Sequence, residues 1–159
     1  MADDEIDRIF KDYRIVAVVG LSKDEKKDSH RVAKYLQKKG FRVIPVNPTA
    51  DEILGEKSYP SLADLPSQLK RTVEIIDIFR PSQAVPQIVD EAIRIRKETG
   101  MPKVIWMQLG IANSEAAFRA KDSGMTVVQD RCMMIEGASR EEMVKFNIGS
   151  PEDTGSGEG

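Results

Sequence analysis

The residues with the clearest chemical potential follow a short apolar run that ends at Gly20. A glycine lets backbone amides come close to a phosphate, and the N-terminus of a following helix adds a partial positive charge. Hydroxyl groups and positive charges stand in the same stretch, on Ser22, Lys23, Lys26, Lys27 and Ser29. We therefore expect an anion site here, with a tight glycine turn and solvated lysines as the alternative.

The usual fingerprint of a dinucleotide-binding turn is incomplete in this stretch. That fingerprint has glycines spaced GxGxxG and an acidic residue about 20 residues further on, whereas only the first glycine is present here. The next apolar run ends in Val46-Asn47-Pro48. This ending offers neither a carboxylate for the ribose of NAD nor a basic residue for the extra phosphate of NADP. The sequence therefore disfavours both dinucleotides.

Histidine and cysteine are scarce in this sequence. His30 is the sole histidine and Cys132 the sole cysteine, so the sequence supplies neither the ligand set of a zinc site nor an evident Ser-His-Asp constellation. We expect His30 to be a surface residue of a helix, with a phosphate contact as the alternative. We expect no catalytic group and no metal, and a single cysteine excludes an internal disulfide.

Five apolar runs of strand length alternate with segments of helical periodicity. The runs lie at 15–19, 41–46, 73–79, 104–108 and 125–128, and their apolar residues do not alternate strictly, as in strands buried on both faces. Helices are expected at 4–13, 28–39, 61–65, 82–99, 113–123 and 139–146, with Asp28 or Ser29 and Ser82 as N-caps. This alternation predicts an α/β fold of three layers with a doubly wound, mostly parallel sheet. In such a fold, ligands bind outside the carboxyl ends of the strands.

Length, charge and composition narrow the class of protein. The chain has 159 residues and a net charge of -2, which gives no basic field for nucleic acid. No apolar run approaches the about 20 residues that cross a membrane, and the acidic N-terminus has no signal-peptide core. We expect a cytoplasmic protein with a single domain over residues 1–148. Residues 149–159 have almost nothing apolar and are expected to form a disordered tail.

Seven short motifs occur in order along the chain. They are GLS at 20–22, SHRVAKYL at 29–36, VIPVNP at 43–48, GEKSYPSLADLP at 55–66, DIFRPS at 77–82, VIWMQLGI at 104–111 and VVQDRCMMIE at 127–136. Together they closely resemble the small single-domain CoA-binding proteins. The Rossmann-like fold of that family is similar to the CoA-binding domain of the succinyl-CoA synthetase alpha subunit. The resemblance covers about residues 5–138 and implies that coenzyme A lies across the strand ends.

The resemblance implies which residues of the first two strand ends face CoA. The first strand end, Gly20-Leu21-Ser22, would lie against the pyrophosphate, with Ser29 and Arg31 at the start of the first helix. Arg31 would reach a phosphate, with an exposed position and a surface ion pair as the alternative. Lys23 would also contact a phosphate, with a solvated loop charge as the alternative. The second strand end, Val46-Asn47-Pro48, would line the nucleotide, with a turn-forming Asn47 as the alternative.

The two following strand ends complete the implied site. Phe79 would offer an apolar wall, with a core position as the alternative, and Arg80 would contact a phosphate because an unpaired guanidinium is costly to bury. Gln108 would hydrogen-bond the amides of the pantetheine arm, beside Leu109. Gly110 would again permit close approach of the backbone to the ligand.

Cys132 has two alternative roles. If CoA lies across the strand ends, its thiol comes near Cys132, and the two sulfurs form a mixed disulfide under oxidising conditions. The alternative, which we favour, is a small buried core residue.

The function implied by the resemblance is the binding of CoA or an acyl-CoA without catalysis, as a carrier, a sensor or a regulator acting on an unidentified protein partner. The synthetase alpha subunit also carries a domain with a phosphorylated histidine, which this sequence does not contain, so ligase chemistry is not expected. Two alternatives stay open: an enzyme that uses NAD(P), and a partner-binding module with an empty crevice.

Overall fold

The computed structural model of the chain describes residues 3–148, with side chains described for residues 3–141. Its strands are β1 (Ile15–Val19), β2 (Arg42–Val46), β3 (Glu52–Ile53), β4 (Glu56–Lys57), β5 (Ile75–Ile78), β6 (Val104–Met107) and β7 (Thr126–Val128). Five of them form one parallel sheet in the order β2-β1-β5-β6-β7. The other two, β3 and β4, form a short antiparallel hairpin.

Helices cover both faces of the sheet. They are α1 (Asp3–Asp12), α2 (Asp28–Lys38), α3 (Ser67–Thr72), α4 (Val85–Thr99), α5 (Ser114–Asp122) and α6 (Met133–Ile148). Two separate apolar clusters join them to the sheet: Ile6, Leu36 and Met133 mark the layer of α1, α2 and α6, and Leu69, Ile88 and Ala117 mark the layer of α3, α4 and α5. The expected three-layer, doubly wound architecture is confirmed.

The strands are apolar on both faces because both faces are covered. In β1, Val16 and Val18 pack into the layer of α1, α2 and α6, whereas Ala17 and Val19 pack into the opposite layer. Side chains alternate between the faces of a strand, so a strand between two helical layers needs apolar residues at every position.

The order of the strands creates one topological switch point. Strand β1 pairs with β2 on one side, from Ile15 opposite Arg42 to Val19 opposite Val46. On its other side it pairs with β5, where Val19 lies opposite Ile78. The chain therefore winds in opposite directions from β1: after β1 it continues into α2 on one face of the sheet, and after β5 it continues into α4 on the other face. These two segments leave a crevice between them at the carboxyl edge. Open α/β sheets bind their ligands at such a crevice.

Two expected helix caps are wrong. Helix α2 begins at Asp28 after Lys27, which makes no side-chain cap, and the Ser29 hydroxyl accepts a hydrogen bond from the loop instead. Ser82 lies in a 3₁₀ turn before α4, and its hydroxyl accepts a hydrogen bond from the amide of Ala112 at 3.1 Å. Ser29 therefore bonds to the preceding loop and Ser82 to a segment 30 residues away, and neither caps a helix.

The last helix begins earlier than the sequence predicted, at Met133 instead of residue 139. Its first amide, from Met133, donates to Gln108 Oε1 at 3.2 Å, which ties the helix start to β6. Gly137 lowers the helical propensity of this segment, yet a side chain there would lie 3.1 Å from Phe10 Cε1. The hairpin and α3 were not predicted, and the expected tail of residues 149–159 lies outside the described residues.

Candidate functional site

The ends of β1, β2 and β5 meet at Gly20. Its amide donates to the Val46 carbonyl at 2.9 Å. A Cβ on Gly20 would lie 2.5 Å from the Phe79 carbonyl oxygen, and the residue has a φ of +90°. Both the conformation and the space therefore require glycine. This requirement comes from the contact between two strand ends, and the Gly20 amide is already used within the protein.

The loop after Gly20 is fixed by the first turn of α2. The Ser22 amide donates to Ser29 Oγ at 2.9 Å, and the Ser22 carbonyl accepts from His30 Nδ1 at 2.8 Å. Ser29 and His30 are both buried. The expectation that His30 is a surface residue is therefore wrong, because its ring lies beneath the loop and positions the Ser22 peptide.

Asn47 joins the second strand end to the first. Its Nδ2 donates to the Leu21 carbonyl at 2.8 Å, and its Oδ1 accepts from the amide and the hydroxyl of Thr49, at 2.7 and 2.9 Å. The amide group is thus engaged at both ends inside the protein. This arrangement agrees with the turn-forming alternative and sets the shape of the crevice.

An open cavity of about 440 Å³ lies at the switch point. Six of the expected site residues line it: Gly20, Ser22, Val46, Asn47, Pro48 and Arg80. The remaining lining comes from Val19, from the segment after β2 and from α4 with the turn before it: Thr49, Pro60, Ser61, Leu62, Ala84, Gln87, Ile88 and Glu91. Pro60, Ser61 and Leu62, which we call the roof segment, lie across from α4.

Arg80 is the one cation among the described residues that line the cavity. It is exposed, and no described residue forms an ion pair or a hydrogen bond with its guanidinium. Its Cδ lies 3.2 Å from the position that a Cβ on Gly20 would occupy. The stem of Arg80 therefore packs beside the glycine turn, and its guanidinium, which has no partner among the described residues, can form paired hydrogen bonds to a phosphate.

Two further cations near the first loop differ in their surroundings. Lys23 is exposed in the loop after Ser22. Arg31 forms an ion pair with Asp28 and donates to the Lys26 carbonyl at 2.8 Å. Arg31 therefore has partners close in sequence, which agrees with the alternative of an exposed residue with a surface ion pair. A contact with a ligand stays a prediction for both residues.

Three of the expected residues lie in the layer of α1, α2 and α6 and do not line the cavity. Leu21 is fully buried, Phe79 packs against the same cluster, and Cys132 is 9% exposed within it. The placement of Phe79 and Cys132 agrees with the core alternatives. Their contact with a ligand stays a prediction.

The end of β6 lies beyond the cavity along the same edge of the sheet. Gln108 is buried, and its Oε1 accepts from the Met133 amide. Leu109 is 63% exposed. The amide of the exposed Gly110 donates to Asp130 Oδ1 at 2.6 Å. Leu109 thus offers apolar surface next to the crevice, whereas Gln108 already has a structural partner.

Burial raises the pKa of two carboxyl groups, one that lines the cavity and one inside β5. Burial raises the pKa of Glu91, and Asp64 adds to the rise, while the Leu62 backbone and the Arg94 guanidinium oppose it. Asp77, in the middle of β5, is completely buried, and neither of its oxygens has a hydrogen-bond partner among the described residues. Burial raises the pKa of Asp77 well above its usual value, so the folded protein favours the neutral acid.

The roof segment and α4 were missed as parts of the site. Ala84, Gln87, Ile88 and Glu91 follow the spacing i, i+3, i+4 and i+7, which places them on one side of a helix. Because α4 starts at the carboxyl edge of the sheet, this side can face a ligand there. The spacing was available in the sequence, but the position of the roof segment depends on folding of the chain after β2.

A family model for the CoA-binding domain matches residues 14–138 of this chain. The chain belongs to the CoA-binding domain family. The resemblance expected from the seven motifs is confirmed at this level, and the match spans β1 to the start of α6, including every residue that lines the cavity.

Relatives of this CoA-binding domain include small proteins and parts of larger ones. The uncharacterized protein YneT of Bacillus subtilis is 38% identical over 134 residues, which are 84% of this chain and 93% of that protein. A hypothetical protein from Pyrococcus horikoshii has a similar solved structure, with a TM-score of 0.78, 35% identity, and coverage of 91% of this chain and 93% of that chain. Acetate–CoA ligase (ADP-forming) II of Archaeoglobus fulgidus is 37% identical over 78 residues, which are 48% of this chain but 11% of the ligase.

The described residues were also compared with the requirements of a membrane-spanning helix and of a metal site. None of their helices combines the length and the apolar character that a membrane crossing needs. Within the same residues, no group of three His, Cys, Asp or Glu side chains is arranged to hold a metal ion.

Proposed function

We propose that this protein binds coenzyme A, or an acyl-CoA, in the cavity at the switch point and acts as a non-catalytic carrier, sensor or regulator. The observation that carries the proposal is the uncompensated Arg80 guanidinium beside the Gly20 turn. A guanidinium is well suited to bind phosphate, and this one lies at the carboxyl edge of the sheet in a member of the CoA-binding domain family. The volume of about 440 Å³ lies in the usual range of small-molecule sites.

The diphosphate of CoA would lie between the Gly20 turn and Arg80. The Ser22 hydroxyl lines the same end of the cavity and can donate a hydrogen bond to a phosphate oxygen. Lys23 is close in sequence and exposed, so it adds positive potential without a fixed geometry. Since the amides of Gly20 and Ser22 have partners inside the protein, side chains rather than these amides would supply the main phosphate contacts.

The pantetheine arm would leave the cavity along the carboxyl edge of the sheet. The strand next to β5 on that side is β6, and Leu109 at its end is largely exposed. An apolar side chain at this place suits the methylene and dimethyl groups of the arm. We further propose that the protein is cytoplasmic and that it acts on a protein partner, which affinity purification with and without CoA would identify.

The competing proposal of an NAD(P) enzyme has less support. The second strand end presents Asn47, whose amide group is engaged on both sides, where NAD sites place a carboxylate for the ribose.

Release of the endogenous ligand separates the two proposals. The purified protein is denatured by heat, and the released small molecules are identified by mass and absorbance. We expect CoA or a thioester of CoA, and a rise in the melting temperature of the emptied protein when CoA is added back. Release of a nicotinamide nucleotide would support the enzyme instead. No released ligand, together with no thermal shift with CoA, would leave the proposal without support.

A further inference from the structure

The cavity at the switch point has two chemically different ends. Arg80 and Ser22 lie beside the strand ends, while Glu91 is the one carboxylate among the described residues that line the cavity. Ala84 lies in the turn just before α4 and Glu91 lies within α4, and both line the cavity; seven residues of helix correspond to about 10 Å along its axis. Arg80 follows the end of β5, four residues before Ala84, so Glu91 lies in the part of the lining that is farther from the strand ends.

Glu91 has acceptor capacity left for a ligand. It is half-buried on α4, opposite the roof segment. The Leu62 backbone and the Arg94 guanidinium favour its charged form, against the effect of burial. A carboxylate has about four lone-pair sites, so an interaction with Leu62 leaves others open toward the cavity. A hydrogen bond to a partly desolvated carboxylate is stronger than one to a carboxylate in water, so a ligand donor at this position would be favoured.

A phosphate is unsuitable at this end because it would meet a like charge. A nucleotide that places its phosphates on Arg80 therefore has to direct its sugar and base along α4 toward Glu91. The donors available on that part of CoA are the ribose hydroxyl and the exocyclic amino group of adenine. Of these, the amino group lies at the far end of the nucleotide, as Glu91 lies at the far end of the cavity.

We infer that Glu91 accepts a hydrogen bond from the adenine amino group of the bound nucleotide and thereby selects adenine over hypoxanthine. This inference rests on the proposed CoA function. Hypoxanthine carries a carbonyl oxygen where adenine carries its amino group, so the carboxylate would face lone pairs instead of a donor. Sites built around a hydrogen bond reject analogues that cannot form it, because the buried group is left without a partner.

The test compares ADP and IDP as competitors that displace CoA. For the wild-type protein we expect ADP to compete about tenfold better than IDP, which corresponds to one hydrogen bond to a charged group of about 1.4 kcal/mol. Glu91→Gln keeps the size of the side chain but adds an NH₂ group that can donate to the hypoxanthine carbonyl. We expect this variant to bring the ratio of the two competitors close to one.

Glu98→Gln provides the matched control. Glu98 lies on the same helix, is exposed and does not line the cavity at the switch point, so its variant should keep the wild-type ratio. If ADP and IDP compete equally well for the wild-type protein, the inference is overturned. This result does not depend on how the variant folds. An unchanged ratio in Glu91→Gln overturns it as well. If CoA binds in either case, the proposed function stands; if CoA itself does not bind the wild type, the proposed function fails and this inference fails with it.

Discussion

Replacement of Gly20 by alanine tests the contact on which the shape of the site depends. The residue has a φ of +90°, and the new Cβ would lie 2.5 Å from the Phe79 carbonyl oxygen. A left-handed conformation costs a non-glycine residue about 1–2 kcal/mol, and forcing an atom into a packed site adds about 1–3 kcal/mol. We therefore expect Gly20→Ala to lower the free energy of unfolding by about 2–5 kcal/mol.

Gly40→Ala separates the two contributions to this loss. Gly40 has a φ of +93°, close to that of Gly20, but nothing lies within 4 Å of its Cβ position. Only the conformational part applies, so we expect a loss of about 1–2 kcal/mol. Equilibrium unfolding in urea, followed by far-ultraviolet circular dichroism, measures both variants. Equal losses in the two variants would refute the close approach of Gly20 to Phe79.

Three further outcomes are expected. Arg80→Ala should weaken CoA binding about tenfold in a calorimetric titration. It should leave the melting temperature unchanged, since the guanidinium has no partner among the described residues. Arg42 is exposed at the start of β2, away from the carboxyl edge, so the control variant Arg42→Ala should bind CoA like the wild type. Asp77 takes up its proton more readily in the folded state, so the free energy of unfolding should fall as pH rises above the unfolded pKa of 3.8, by up to about 1.4 kcal/mol per pH unit until the folded-state pKa is passed. The free energy of unfolding of Asp77→Asn relative to that of the wild type should therefore rise as pH increases above the unfolded pKa of 3.8, and a difference in urea unfolding that stays constant with pH would contradict this. Mass spectrometry without reductant should find Cys132 unmodified because it is 9% exposed, and a CoA-sized adduct that dithiothreitol removes would show the opposite.

The layers of the fold were predictable because burial on two faces leaves a clear trace in the sequence. The run Ile15–Val19 is apolar at successive positions, and each neighbour points into a different helical layer. Glycines that follow a helix were equally informative: Gly100 ends α4 in the left-handed conformation, as its position after Thr99 suggested. Signals of this kind are local, so they do not depend on knowing the rest of the structure.

Features that depend on distant partners were harder to predict. Ser29, Ser82 and Gln108 each bond to a segment that is remote in sequence or to a different element. A sequence shows that such a residue can form hydrogen bonds, but it does not show which of the possible partners the residue bonds to in the folded protein. For the same reason His30 looked like a surface residue, although it lies under the loop that it holds.

The site was predictable at the strand ends and not on its outer wall. Parallel strands bring their carboxyl ends to one edge, so Gly20, Asn47 and Arg80 could be placed together from the strand assignments alone. The roof segment reaches the cavity through the path of the chain between β2 and α3. Glu91 was therefore missed, even though its spacing from Gln87 and Ile88 places all three on one side of α4.

The central claim is that the protein binds coenzyme A and not a nicotinamide nucleotide. Isothermal titration calorimetry of the purified protein with coenzyme A and, separately, with NADH tests this claim most directly. We expect one CoA to bind per chain, with an affinity that falls as salt is added because phosphate contacts are screened, and we expect no heat of binding with NADH at the same concentrations. Tight binding of NADH by a protein that gives no heat with CoA would contradict the account.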